Sequence, residues 1–100
     1  MSTHHNQSIG LLVIHLRIPG CRSLKEKRSR LKPLLARLHK EFNISTAEID
    51  DLDTWQSTRI ACALVSNDPA YTQRALQSVV EWVETHWPDL EIENDTLEIF

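Results

Sequence analysis

The sequence has 100 residues, of which 41% are hydrophobic and 25% are charged, as in an ordinary globular domain. Its longest apolar run, residues 9–14, is about six residues long, whereas a membrane span needs roughly 20, so we expect no membrane partner. The first residues are polar and lack the apolar stretch of an export signal. We therefore expect a disordered tail over residues 1–8 and one cytoplasmic domain over residues 9–100.

The charged residues are divided unevenly along the chain. Residues 17–40 hold nine of the eleven basic residues and a single acid, a net charge of +8, whereas residues 41–100 carry a net charge of −11. An asymmetry of this kind indicates an anionic partner for the basic segment.

The first predicted elements are a strand and an amphipathic helix. Residues 9–18 alternate as a strand does, and Pro19-Gly20 ends the run. Ser23 and Glu26 have the spacing of a capping box at a helix start. Pro33 falls inside this helix and should bend it without breaking it, because the apolar stripe stays in phase beyond the proline. That stripe consists of Leu24, Leu31, Leu35, Leu38 and Phe42.

The remaining elements follow in the order strand, strand, helix, strand. Strands are predicted over residues 43–50 and 55–66, with a turn at residues 51–53 between them. Asp68-Pro69 is a helix start with the aspartate as its cap, and Pro88 ends that helix. A last strand over residues 90–99 is bulged or broken at Asn94-Asp95. The βαββαβ order predicts an α+β, ferredoxin-like fold, in which a four-stranded antiparallel sheet carries two helices on one face.

Several sites that are common on this fold find little support in the sequence. RNA-recognition domains stack bases on aromatic residues in the middle of the sheet, but here those positions hold no aromatic residue, and Trp55 lies only at the start of its strand. The histidines and the two cysteines show no metal-ligand spacing, so we expect no metal and no cofactor. One enzymatic alternative remains open. The loop from Gly20 to Leu24 would bind the phosphate group of a small substrate, with Arg22 beside a helix N-terminus.

The basic helix is the strongest functional signal. On a helical wheel, Lys25, Arg28 and Lys32 fall within about 60° of one another, while Lys27 lies on the other flank of the apolar stripe. Cations in such a row can follow a phosphate backbone without reading its sequence. We predict a non-catalytic accessory that binds structured RNA or the ribosome through Arg22, Lys25, Lys27, Arg28 and Lys32. The alternative is a solvated helix face that the acidic remainder of the chain neutralises.

A second hypothesis uses the open face of the predicted sheet. Its apolar residues are numerous enough to bury against a second copy of the chain or against another protein. The hypothesis predicts a homodimer or a protein-interaction module, and it is compatible with RNA binding because it uses a different surface. The residues concerned are Leu11, Val13, Ala61, Ala63 and Val65.

The segment from Pro19 to Ser29, PGCRSLKEKRS, resembles the signature of a bacterial family of unknown function, family 503 or the YlxP-like proteins. Three later stretches also match: Glu48-Ile49-Asp50, Asp53 with Trp55-Gln56, and Val65-Ser66-Asn67-Asp68. Pro33 and the longer tail depart from the family pattern. The resemblance implies a ferredoxin-like fold and supplies no catalytic residues. Genes of this family often lie beside those for ribosome-binding factor A and a translation initiation factor, which implies a role near ribosome assembly or translation.

Overall fold

A computed structural model of the protein describes residues 7–50 and 54–100. Four strands pair antiparallel in the order β2-β3-β1-β4, with both helices on one face, so the predicted ferredoxin-like α+β fold is confirmed. Part of the predicted tail (residues 1–6) and the predicted turn (residues 51–53) lie outside the described residues. The elements are β1 (Ser8–Arg17), α1 (Leu24–Phe42), β2 (Ser45–Asp50), β3 (Ser57–Ser66), α2 (Pro69–His86) and β4 (Glu91–Ile99).

Alternation along the central strands decides which face of the sheet is buried. In β1, Leu12, Ile14 and Leu16 are at most 1% exposed and pack beneath the helices, and Ile60 and Cys62 of β3 are fully buried beside them. Each large apolar side chain buried in this way stabilises the fold by about 1.5–3 kcal/mol. The residues between them point to the opposite face, which no element within residues 7–50 and 54–100 covers.

The two helices cover different parts of the sheet. α1 lies against the edge strand β2, whereas α2 lies across β1, β3 and β4. Gly10 allows α2 to approach β1 closely, because a Cβ at this position would collide with Thr72 Cγ2 and lie 2.5 Å from Leu76 Cδ1. The basic segment therefore lies above one edge of the sheet, and the strand at the other edge is β4.

The local signals in the sequence predict most ends of the helices and strands to within two residues of their observed positions. Asp68 caps α2 and accepts a hydrogen bond from the Ala70 amide at 3.0 Å. α1 runs through Pro33 without a break, as predicted. β4 is also unbroken, and its bulge falls at Glu93 instead of Asn94-Asp95, since His15 pairs with Asn94 and the next residue of β1 pairs with Ile92.

Candidate nucleic-acid interface

The loop before α1 is shaped by local backbone chemistry. Gly20 has a φ angle of +73°, a left-handed conformation that disfavours residues with a Cβ. Ser23 then caps α1, and its Oγ accepts a hydrogen bond from the Glu26 amide at 3.0 Å. The chain turns sharply from β1 into α1 as a result, and it leaves Arg22 exposed in the loop and Lys25 exposed in the first turn.

Four exposed cations lie in the loop before α1 and along the first half of that helix. Lys25, Arg28 and Lys32 project from one side of the helix, and all three are exposed, as is Arg22 in the preceding loop. None of the four has an ion pair or a hydrogen bond with any other side chain in residues 7–50 or 54–100. We call these four residues the basic flank. Their charges are available to an anionic ligand because no neighbour within those ranges neutralises them.

The basic flank borders the edge of the sheet. Arg28 and Lys32 line a groove of about 290 Å³ together with Leu31, Leu35 and Glu48. Glu48 belongs to β2, the outermost strand on this side. The groove therefore lies between α1 and the β2 edge of the sheet.

Lys27 does not belong to the basic flank, and the prediction that it contacts nucleic acid is wrong. Its side chain is 1% exposed, and its Nζ lies 2.8 Å from Glu48 Oε2 and donates to the Thr54 carbonyl at 2.7 Å. Thr58 Oγ1 donates to the same carboxylate oxygen at 2.5 Å. A buried ammonium group needs such partners, because desolvation without them costs several kcal/mol. Lys27 therefore joins α1 to β2 and to the segment before β3.

The burial of Lys27 follows from the orientation of α1. The predicted stripe contained Leu35, yet the residues that α1 buries include Leu34, and Leu35 is only partly buried. The observed buried face is rotated by about 40° from the predicted one on a wheel with 3.6 residues per turn. That rotation brings Lys27 into the middle of the buried face. The buried residues of α1 are Lys27, Leu31, Leu34 and Leu38.

Two further cations of α1 are bound within the fold. Arg30 donates to the carbonyls of Pro19 and Asp89, at 2.8 and 3.3 Å. The guanidinium of Arg37 stands 5.4 Å from the centre of the Trp82 ring, a cation–π distance. The alternative of a self-neutralised helix therefore applies to these two arginines and to Lys27, but the basic flank has no such partners in the described chain.

The loop from Gly20 to Leu24 shows no exposed nucleophile. Cys21 is fully buried, and its Sγ donates to the Ser23 carbonyl at 3.4 Å. The Ser23 hydroxyl is occupied by the helix cap. Cys62 is buried as well, and this burial raises the pKa of its thiol to about 12. The thiols and the loop hydroxyl thus have structural roles, which leaves Arg22 as the exposed functional group of the loop.

Within residues 7–50 and 54–100, no group of three or more His, Cys, Asp or Glu side chains is placed to hold a metal ion. His39 and His86 instead donate from Nδ1 to the carbonyls of Ile44 and Trp82, at 2.7 and 3.0 Å. No helix in these same ranges is long and apolar enough to cross a membrane.

The open face of the sheet brings the second group of predicted residues together. Leu11 is paired with Ala63, and Val13 with Ala61, at the centre of the β1–β3 ladder. All four are partly exposed, and Val65, near the end of the same ladder, is 70% exposed. The five predicted side chains therefore share one surface on the side of the sheet away from the helices.

Sequence reasoning missed two apolar residues that extend this surface. Ile9 is paired with Val65, and Phe100 exchanges two backbone hydrogen bonds with Ile9. Ile9 is 44% exposed and Phe100 68%. The alternation that places Leu11 on the open face also places Ile9 there, so the signal for that residue was present in the sequence.

The element order and the sheet order define a ferredoxin-like α+β protein. Two solved structures share the fold. A de novo designed protein, Foldit4, has a TM-score of 0.54 at 9% identity and covers 94% of this chain and 96% of its own. An uncharacterized NIPSNAP-like domain protein from Burkholderia xenovorans has a TM-score of 0.55 at 12% identity, covering 97% of this chain and 85% of its own. At these identities the likeness concerns the fold alone.

The chain belongs to a family described as proteins of unknown function, DUF503, which it matches over residues 9–96. A relative from Bacillus subtilis (strain 168), the uncharacterized protein YlxP, is 42% identical over 69 residues. That alignment covers 69% of this chain and 74% of the relative. The family resemblance seen in the sequence is therefore confirmed. The function of this family is not established.

Proposed function

We propose that this protein is a non-catalytic accessory that binds structured RNA, on the ribosome, through the basic flank. The supporting observation is the division of the cations between residues 22 and 32. Lys27 and Arg30 are bonded inside the fold, whereas the four cations of the basic flank are exposed and unpaired among the described residues. Single unpaired cations are common on protein surfaces, so the argument rests on their grouping: four unpaired cations fall within eleven residues of the loop and the first half of α1.

The position of the acids supports a directed contact. Four acidic residues on β4 are exposed at the opposite edge of the sheet from the basic flank. They would repel a polyanion that approached from that side, and the effect would be strongest at low salt. RNA would therefore approach along α1 and β2. The four acids are Glu91, Glu93, Asp95 and Glu98.

Charge reversal within the basic flank tests this proposal. We expect the triple variant Lys25→Glu, Arg28→Glu, Lys32→Glu to stop co-sedimenting with ribosomal particles, because phosphate contacts supply most of the affinity. Its thermal unfolding should match that of the wild-type protein, since all three side chains are exposed. Co-sedimentation of this variant at the wild-type level would contradict the proposal.

A matched control separates a local effect from a change in net charge. The variant Arg17→Glu, Lys40→Glu, Arg74→Glu alters three exposed cations outside the basic flank and has the same net charge as the first variant. It should sediment with ribosomal particles nearly as the wild-type protein does.

A cytoplasmic location is part of the proposal, because ribosomes are found there and free thiols stay reduced there.

We also propose, as a second and compatible function, that the open face of the sheet forms a homodimer. The supporting observation is the cluster of exposed apolar side chains at one corner, where Ile9, Val65 and Phe100 are 44%, 70% and 68% exposed. Contiguous apolar surface of this kind is typical of an interface. Light scattering should give the mass of a dimer at micromolar concentration and that of a monomer for Val65→Glu. A monomeric wild-type protein throughout that range would contradict this second proposal.

A further inference from the structure

An exposed tryptophan lies in the short segment before β3. Trp55 is 48% exposed and stands two residues before the first residue of β3. Its neighbour Gln56 donates from its side-chain amide to the Cys21 carbonyl at 3.2 Å, and the Gln56 carbonyl accepts from the Ile18 amide at 2.9 Å. The residue that follows Trp55 is therefore bonded to the loop that carries Arg22.

A second contact ties the same segment to α1. The Thr54 carbonyl, on the other side of Trp55, accepts from buried Lys27 at 2.7 Å. Thr54 and Gln56 are thus bonded to α1 and to the loop before it, and Trp55 lies between them. The backbone of Trp55 is fixed at the end of the molecule where Arg22 and Lys25 are exposed.

The other two tryptophans have a different environment. The Trp82 ring centre lies 5.8 Å from that of Trp87 and 6.0 Å from that of Phe42, so both indoles belong to an aromatic cluster that packs against the hydrophobic core. Trp55 has no ring contact and no hydrogen bond within residues 7–50 and 54–100. A half-exposed aromatic side chain, in a segment bonded to the loop of Arg22, adds a stacking surface to the unpaired cations. Aromatic surface and cations are combined in single-stranded nucleic-acid sites, where bases stack and phosphates pair with charge.

We infer that Trp55 stacks on an unpaired base of an RNA whose phosphates lie along the basic flank. The inference rests on the proposed function and adds the class of ligand: an RNA duplex with an unpaired nucleotide at its end or in a bulge. This stacking site lies at the end of the sheet, beside the start of α1, and does not use the middle strands. The cations would hold the backbone, and the indole would select RNA that offers a free base.

Two RNAs that differ only in unpaired nucleotides test the inference. One is a blunt 16-base-pair duplex, and the other is the same duplex with a three-adenine extension at the 3′ end of each strand. We expect the wild-type protein to bind the extended RNA roughly five-fold or more tightly than the blunt one, the factor that one stacked base supplies. Binding of the extended RNA should also quench tryptophan fluorescence, because stacking brings the base onto the indole.

Variants of Trp55 identify the residue responsible. Trp55→Ala should bind both RNAs with the affinity of the wild-type protein for the blunt duplex, and the quenching should disappear. Trp55→Phe should retain most of the preference, since a phenyl ring still stacks. Tyr71→Ala is the matched control: Tyr71 is 50% exposed and lies beyond the other end of β3, so its loss should leave the preference unchanged.

The outcomes separate this inference from the proposed function. If the wild-type protein binds both RNAs equally, with the triple charge variant binding neither, the role of Trp55 is overturned and RNA binding by the basic flank stands. The same holds if Trp55→Ala keeps the preference for the extended RNA. If the wild-type protein binds neither RNA at low salt, both proposals fall. A preference that is lost in Trp55→Ala and kept in Trp55→Phe and Tyr71→Ala supports the inference.

Discussion

At the scale of single residues, the neighbouring lysines of α1 have opposite roles. Lys25 is exposed and unpaired in the described part of the chain, whereas Lys27, two positions on, is buried against Glu48 and the Thr54 carbonyl. Both are lysines in the same cationic segment, so composition and spacing could not distinguish them. Only the fold, which brings β2 and the start of β3 against α1, decides which ammonium group faces solvent.

Replacing each lysine by methionine tests this division. Lys27→Met keeps the length of the side chain but leaves the largely buried Glu48 carboxylate without its cation, so we expect a loss of about 3 kcal/mol in the free energy of unfolding. Urea denaturation measures this loss. Lys25→Met should change stability by no more than about 0.5 kcal/mol, since it alters an exposed position.

RNA affinity should respond in the reverse order. Lys25→Met should weaken binding, whereas folded Lys27→Met should bind as the wild-type protein does, because its ammonium group does not reach the surface. The assignment of Lys27 to the fold would be wrong if its methionine variant were as stable as the wild-type protein and bound RNA more weakly. The two assays together therefore discriminate a structural cation from a binding one.

At the scale of elements, alternation and capping residues were sufficient to predict the order of strands and helices. Ser23 and Asp68 cap the two helices as predicted, and the inward residues of β1 are those that the alternation indicates. The rotation of α1 was not predictable in the same way. Leu34 and Leu35 are adjacent leucines, and the choice between them depends on what α1 packs against. Because the predicted buried face differs from the observed one by about 40°, Lys27 was assigned to the binding site although it lies in the core.

The contact between α2 and β1 supplies a prediction at this scale. A methyl group at Gly10 would collide with Thr72 Cγ2 and crowd Leu76, so Gly10→Ala should lower the free energy of unfolding by about 1–3 kcal/mol. Without that contact, alanine in a strand should be more stable than glycine by about 0.5–1 kcal/mol. Urea denaturation therefore distinguishes the two cases by the sign of the change.

A double-mutant cycle locates the effect of Gly10→Ala. Thr72→Ser removes the Cγ2 methyl group and keeps the hydroxyl, which lies 2.6 Å from Ser66 Oγ. Gly10→Ala should cost less in the Thr72→Ser background than in the wild-type protein. An equal cost in both backgrounds would contradict the assignment of the cost to the Thr72 methyl group and would leave Leu76 as the residue of α2 that excludes a side chain at position 10.

At the scale of the whole molecule, the fold separates the charges that the sequence segregates. The sheet order places β2 and β4 at opposite edges, so the basic flank beside β2 and the acids of β4 are a sheet's width apart. The sequence alone left two readings open, a self-neutralised molecule and a one-sided contact. The structure assigns the first to Lys27, Arg30 and Arg37 and leaves the basic flank unpaired among the described residues.

The dependence of RNA affinity on salt tests the central claim most directly, because it counts the phosphates that the protein neutralises. With four cations in contact with a duplex, the slope of log affinity against log salt concentration should be about −3.6 for the wild-type protein. The slope should be about −1 for the triple variant Lys25→Ala, Arg28→Ala, Lys32→Ala, which keeps only Arg22 of the basic flank. It should be nearly that of the wild-type protein for the control triple variant Arg17→Ala, Lys40→Ala, Arg74→Ala. A wild-type slope near zero, or equal slopes for the two triple variants, would contradict RNA binding by the basic flank.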